Sequence, residues 1–260
     1  MREIAWVFVD NLGRELEILL NKTKGMWGWM KINLRCINFE CHEILEVDLN
    51  NDFRYQYTCK YCDTVTKGVL TLQRFQVLFD LGIICLKKGF YKEAVSNFAS
   101  SLERCYEYSI KRILYNNDKT KEEIEDIWKF IKSQSERQYG AFLFLYYNVF
   151  GQKIETPSVK FRNDVTHNGY FPTEEETIKY AEDIFNAITK ILFNIVDLKK
   201  DYEYLLPIRE DEVYIDYISF ISPFDFFTLT DEGSVKNNKP KFHERYRIFY
   251  ENENLDVAVG

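Results

Sequence analysis

The sequence predicts a mainly α protein: a helical bundle with a small β-rich N-terminal module and a β-like or irregular C-terminal region. Three observations carry this. Between residues 73 and 200, apolar residues recur at three- and four-residue steps, and the segments end on helix-cap signals. Before residue 73, four cysteines stand in two close pairs around a stretch that alternates aromatic and polar residues. After residue 200 the pattern turns β-like or irregular, with an aromatic-rich segment at 213–220 and a loop-like stretch at 230–240. The expected zones are therefore 1–72, 73–200 and 201–260.

The composition sets the bounds. With 260 residues, 46% of them hydrophobic and 17% aromatic, the chain has enough apolar material for one large or two small cores. General disorder is excluded on the same ground. No apolar run approaches the ~18 residues a membrane-spanning helix needs. The net charge of −7 argues against broad electrostatic adhesion to nucleic acid, while leaving room for a local basic groove. Residues 1–30 carry no visible secretory signal, so a cytoplasmic location and reduced cysteines are expected.

In the first zone, residues 4–9 and 46–49 mix β-branched and acidic residues and read as β segments. Residues 53–58 alternate as a strand should, and 16–20 read equally well as helix. In the second zone, a helix over about 72–88 stops at Gly89, with Lys87 and Lys88 in its last turn. Glycine tolerates the left-handed cap, and lysine complements the helix dipole. A second helix is expected over about 91–115, followed by a polar linker at 116–120. A third, over about 121–150, ends in a dense aromatic run. A short helix starts after Ser158 and ends at Asn168-Gly169. The last helix has the sharpest start: Thr173 at the N-cap with Glu176 three residues on, a capping box. Ile178, Ala181, Phe185, Ile188, Leu192 and Ile195 then form one apolar stripe, the face of a bundle helix.

Cys36-x4-Cys41 and Cys59-x2-Cys62 are the first candidate site. Thiolate pairs at such short spacing fold over one ion and complete a tetrahedral four-sulfur zinc site. The strand at 53–58 leads into the second pair as a zinc-ribbon hairpin would. A closed site leaves no position for water, so Zn2+ here is expected to be structural. His42, beside Cys41, is an alternative ligand. The other reading is four reduced cysteines, two of them in a half-buried sheet. Cys85 and Cys105 fall on apolar helical positions and are expected in the core.

The second candidate is Arg162-Asn163-Asp164-Val165-Thr166-His167. On residue types alone, a surface arginine and a histidine capping a helix end is the plainer reading. Asn163 and His167 share a helical face, whereas Arg162 and His167, five apart, are rotated away from each other. The surroundings add to this. An Arg, a following Asn, three variable residues and a His, then Asn168, Gly169, Pro172 and an amphipathic helix, resemble the motif of the HEPN superfamily. The upstream helix from Gly89 through Arg104 is similar too. The resemblance covers about residues 73–200.

The resemblance implies a dimerising helical bundle whose two motifs face a shared cleft. It also implies a metal-independent RNA endonuclease of toxin–antitoxin or antiphage (antiviral) defence type. On that reading His167 is the proton-transfer group, Arg162 the phosphate clamp and Asn163 an orienting group. Glu103 either orients Arg162 or His167, or is a solvated helix charge. RNA substrate, a homodimer, and an inhibitory or activating protein partner are the expected partners, with no membrane. The alternative is a non-catalytic interaction module that binds a protein or nucleotide.

Two further patterns complete the reading. Leu81, Gly82, Ala94, Phe98 and Ser101 match the spacing of a tetratricopeptide-like hairpin. The pattern is absent 34 residues later, so a generic helix pair packed tightly at Gly82 is expected. The run 241–247 around His243 is basic and aromatic. It reads as a mixed strand, or as a surface that touches RNA.

Overall fold

Helices dominate the computed structural model of the chain, and their boundaries follow from local chemistry. The structure describes residues 31–38, 40–41, 43–70, 72–196, 198, 209–215, 227–229, 235–237 and 241–251. The expected segments at 4–9, 16–20 and 216–220, and His42, lie outside the described residues.

Helix α1 (Arg74–Lys87) opens on a capping box, in which the Gln73 N–H donates to Gln76 Oε1 at 2.7 Å. It closes at Gly89, whose φ of 78° places it in the left-handed region glycine tolerates. Helix α2 (Tyr91–Asn116) follows at once and packs antiparallel against α1, the pair expected at Gly82. A Cβ placed on Gly82 would fall inside contact distance of the Phe98 ring, which is fully buried. The absence of a side chain there lets the two helices close.

The expected third helix is two. Helix α3 (Lys121–Ile131) starts on a Thr120–Glu123 capping box, and helix α4 (Ser135–Phe150) starts after Gln134, whose backbone is extended. The corner is held by one buried side chain. Gln138 Nε2 donates to the Lys132 carbonyl at 2.8 Å, and its Oε1 accepts from Arg104 at 2.9 Å. That contact with α2 is non-local, so the helical periodicity of 121–150 does not reveal the break. Helix α5 (Val159–Thr166) is the short helix expected after Ser158, which caps it. Helix α6 (Glu174–Val196) carries the predicted capping box: Thr173 N–H to Glu176 Oε2 at 2.9 Å and Glu176 N–H to Thr173 Oγ1 at 3.2 Å. Of its expected stripe, Ala181, Phe185, Ile188, Leu192 and Ile195 are buried. Burial of each large member is worth about 1.5–3 kcal/mol against exposure.

The N-terminal module is β-rich. Strands β1 (Lys31–Arg35) and β2 (Ile44–Asp48) form an antiparallel pair with Arg35 opposite Ile44. Strands β3 (Arg54–Thr58) and β4 (Val65–Leu70) form a second hairpin, with Thr58 opposite Val65. Strand β5 (Val213–Ile215) adds to β4 in parallel, so the first and third sequence zones share one sheet in the order β3-β4-β5. Glu212 pairs with Arg54 and Asp211 with Lys67, which fastens this segment beside the hairpin. Gly68 permits the approach, because a Cβ there would run into the backbone oxygen of Val213. Leu34, Phe53, Tyr55, Leu70, Leu72, Val77 and Ile215 make one small core, in which Val77 of α1 joins the sheet to the bundle.

Two expectations for the C-terminal region are corrected. The stretch 230–240 is not all loop: strand β7 (Val235–Asn237) lies in it and pairs antiparallel with β6 (Phe227–Leu229). The run 241–247 is not a strand but the start of helix α7 (Phe242–Glu251). Phe242 is buried and its ring lies 5.7 Å from that of Phe185 on α6. Tyr246, one helical turn on, stacks on Phe242 at 5.6 Å. That i,i+4 aromatic pair serves a helix docked on α6. No helix among the described residues is long and apolar enough to cross a membrane.

The Gly82–Phe98 contact generates a measurable expectation. Gly82→Ala should lower unfolding free energy by about 1–3 kcal/mol through overpacking, despite alanine's better helix propensity. Phe98→Leu introduced into the Gly82→Ala protein should recover part of that loss in urea denaturation. Additive losses would show that the two side chains do not share one space.

Candidate functional site

Helix α5 is short, and one residue anchors it. Val165 is fully buried against the bundle. Phe161 adds a ring contact to Tyr180 of α6 at 5.2 Å. With Val165 turned inward, Arg162 and Asn163 are left half-buried on the flank, and Arg162 reaches α2.

The structure brings three of the four predicted residues together. Arg162 Nη2 donates to Glu103 Oε1 of α2 at 2.8 Å, and Arg162 Nη1 donates to Asn163 Oδ1 at 3.1 Å. Both partners of the ion pair keep about a quarter of their side-chain surface exposed. These contacts use one hydrogen on each terminal nitrogen, and a guanidinium carries more donors than that. The pair lies beside Tyr180. Burial pushes the Tyr180 hydroxyl up from its ordinary range, with Arg162 pulling it down and Glu103 pushing it up. Glu103 is thus a partner of Arg162 and not an isolated helix charge.

His167 stands apart from this set. It is the C-cap of α5, its backbone N–H donates to the Asn163 carbonyl at 2.9 Å, and its ring is exposed. Asn163, which shares a helical face with His167, spends its side-chain oxygen on Arg162. The five-residue separation of Arg162 and His167 has the consequence helical geometry demands: one turns to α2 and the other to solvent. Arg162 lies in the middle of this short helix and His167 caps its C-terminal end.

Beyond His167 the chain reverses tightly. Gly169 has φ 72°, the Asn168 and Tyr170 N–H groups donate to the Asp164 carbonyl at 3.2 and 3.0 Å, and Asn168 Nδ2 donates to Asp164 Oδ1 at 2.9 Å. The Tyr170 hydroxyl donates to Glu176 Oε1 at 2.8 Å. Glu176 is held below the usual carboxylate range by the Thr173 N–H first and by Tyr170 second. Tyr170 and Phe171 had no assigned role in the sequence. The available signal was an aromatic pair directly after a glycine and next to the motif.

The four paired cysteines also converge. Their sulfurs lie within 4.8 Å of one another, with Cys36–Cys62 at 3.6 Å and Cys41–Cys59 at 3.7 Å. Sulfurs at 2.3 Å from one tetrahedral ion stand about 3.8 Å apart, so the spacing fits a shared ion. Two backbone turns build the cluster. The Cys41 N–H donates to the Asn38 carbonyl at 3.0 Å and the Asp63 N–H to the Cys59 carbonyl at 2.9 Å, with Asp63 left-handed at φ 58°. The Thr64 hydroxyl and backbone N–H bring Cys62 down to about 6. Cys36 and Cys41 are raised: backbone N–H groups of Asn38 and Glu43 favour their thiolates, but burial and the neighbouring sulfurs outweigh that help. A cation amid four sulfurs removes the repulsion that raises them. Cys36, Cys41, Cys59 and Cys62 can therefore bind a metal ion. All six cysteines are free thiols, and Cys105 is buried in the core as expected, with Cys85 partly buried.

A cavity of about 290 Å³ lies elsewhere, between the loop that precedes β3 and helices α1, α2 and α3, lined among others by Asp52, Arg74, Arg104, Lys111 and Lys121. Arg104 pairs with Glu107, and Lys111 with Glu107 and Glu125, so its charges are largely matched internally. Its walls come from segments distant in sequence, which is why no local pattern announces it. His243, the remaining candidate RNA contact, is 3.1 Å from Glu182 of α6.

Compared with known proteins, the chain matches no family model, no curated protein and no solved structure.

The sulfur cluster is directly testable. Titrating the reduced full-length chain with Co2+ should give the visible bands of a tetrahedral thiolate site at about one ion per chain. Cys59→Ser should weaken or abolish them. An unchanged spectrum in Cys59→Ser would mean that the ion binds elsewhere.

Proposed function

We propose that this chain is a metal-independent endoribonuclease of HEPN type, with zinc held structurally by Cys36, Cys41, Cys59 and Cys62. The observation that carries the reading is the arrangement at α5. A guanidinium held by Glu103 and Asn163, with donors to spare, stands on the same short helix as an exposed histidine.

The chemistry suits those groups. The ribose 2′-OH attacks the adjacent phosphorus, the O2′–P bond forms and the P–O5′ bond breaks. The products are a 2′,3′-cyclic phosphate and a 5′-OH. One proton leaves the 2′-OH and one reaches the departing O5′. His167 is exposed, and an imidazole can take up or give a proton through its ring nitrogens, so it serves one of these transfers. The remaining donors of Arg162 grip the non-bridging oxygens and offset the charge that grows on them. Asn163 and Glu103 fix the guanidinium plane. In a homodimer the second copy's motif supplies the second proton-transfer group. The setting we propose is a cytoplasmic toxin or antiphage-defence protein controlled by a protein partner.

The Arg162–Glu103 pair also favours a second reading. An arginine matched by a carboxylate is what a purely structural contact between α2 and α5 requires. On that reading the helical half is a non-catalytic interaction module.

One comparison separates the two. Wild type should release discrete RNA fragments ending in 2′,3′-cyclic phosphate, and His167→Ala should lower that rate by roughly 10²–10⁴-fold while keeping its circular dichroism and melting temperature. Equal cleavage by the folded His167→Ala protein would remove His167 from the chemistry. Absence of cleavage in both, with a partner captured equally by both, would favour the interaction module.

A further inference from the structure

We infer that the loop at 168–172 is a stacking platform for one unpaired RNA base beside the cut phosphate, with Phe171 as the receiving ring; this rests on the ribonuclease reading above. Phe171 is 81% exposed, the most exposed of the large hydrophobic residues in the described part of the chain. Yet the loop that carries it is fixed on both sides. Upstream, Gly169 is left-handed, Tyr170 is bonded through its backbone to Asp164, and the Tyr170 ring stands edge-on to Phe161 at 6.4 Å. Downstream, Pro172 is buried and Thr173 caps α6. The Tyr170 hydroxyl, bonded to Glu176, ties the two sides together. A ring displayed on a frame already ordered loses little further freedom when a flat partner lands on it.

The position selects the partner. Phe171 follows His167 by four residues, across the turn made at Gly169. Bases of single-stranded RNA stack on phenylalanine and tyrosine faces, whereas a base inside a duplex has both faces covered by its neighbours. The charge pattern limits the contact to one base. Glu174, Glu175 and Glu176 open α6 immediately after the loop, and a carboxylate run repels phosphates that continue past Phe171. The platform therefore receives a splayed base at the end of the contact and does not track a strand. Tyr170, 43% exposed, adds the flank of the same surface.

The test uses the full chain and an oligoribonucleotide that carries 2-aminopurine next to a 2′-deoxy position, which blocks cleavage there. The same sequence without the block reports activity. Stacking quenches 2-aminopurine. Wild type should bind the single strand with quenching. Phe171→Ala should weaken binding about 5- to 150-fold and lose the quench, and Phe171→Trp should keep both. The same sequence as a duplex should show no dependence on residue 171. If wild type binds and cleaves but Phe171→Ala quenches and binds as well, the platform is wrong while the ribonuclease reading stands. If wild type neither binds nor cleaves RNA, the ribonuclease reading fails and the platform with it. If Phe171→Ala leaves the quench intact and converts a sedimenting dimer to monomer, the ring is a contact between copies, which overturns the proposal. Because Phe171 is exposed, its truncation opens no cavity, and circular dichroism should confirm an unchanged fold.

Discussion

Nearly every other helix of the bundle is placed by the need to cover α2. This 26-residue helix buries Ala94, Val95, Phe98, Leu102, Cys105, Tyr106, Ile110 and Ile113, positions that do not fit on one narrow stripe. A helix apolar over so much of its surface has to be surrounded. Helix α1 closes on one side through Gly82, α4 stacks Phe142 against Tyr106 at 4.5 Å, and α6 contributes Phe185 and Ile188. Helix α5 packs on the same axis, and it does so where Glu103 interrupts the apolar surface. The charge on α2 is stabilised there by Arg162 and is not sealed from water. Polar chemistry at this place is thus a result of how the core is partitioned.

The β module answers a different constraint. Its own core is small, with Leu34, Phe53, Tyr55 and Leu70 as principal members, and a sheet of that size is marginal alone. Three devices supplement it: the convergence of four thiols, the added parallel strand β5, and the seat on Val77 of α1. The ion pairs at Arg54 and Lys67 then orient the added strand. Glu212 is almost fully buried in its pair, whereas the Lys67–Asp211 pair is exposed and contributes little.

What could be read in the sequence was mostly local. The Thr173–Glu176 box, the glycine stop at Gly89 and the α5 start after Ser158 follow from neighbours a few residues apart, and the cysteine pairs, 18 and 26 positions from their partners, were legible through their own short internal spacing. The split between α3 and α4 was hidden because Gln138 is held by Arg104, a residue 34 positions away. The parallel pairing of β5 with β4 was hidden for the same reason. The α7 helix was legible, since Phe242 and Tyr246 stand at helical spacing, but the alternation of basic and aromatic residues suggested a strand instead. The partnership of Glu103 with Arg162 spans 59 positions and was visible only through a resemblance between motifs.

The pairing of β4 with β5 has a consequence for the order in which the molecule can be made. Lys67 and Asp211 are 144 positions apart. A ribosome releases β4 long before its parallel neighbour exists, at roughly 5–20 residues per second. Through that interval β4 presents an open edge, the feature of a sheet most prone to pair with another chain. The exposure lasts on the order of ten seconds, far longer than the microseconds in which a hairpin forms. Nascent chains on neighbouring ribosomes are the nearest available strands. Spacing between translating ribosomes would then govern how much of the newborn protein reaches its native sheet.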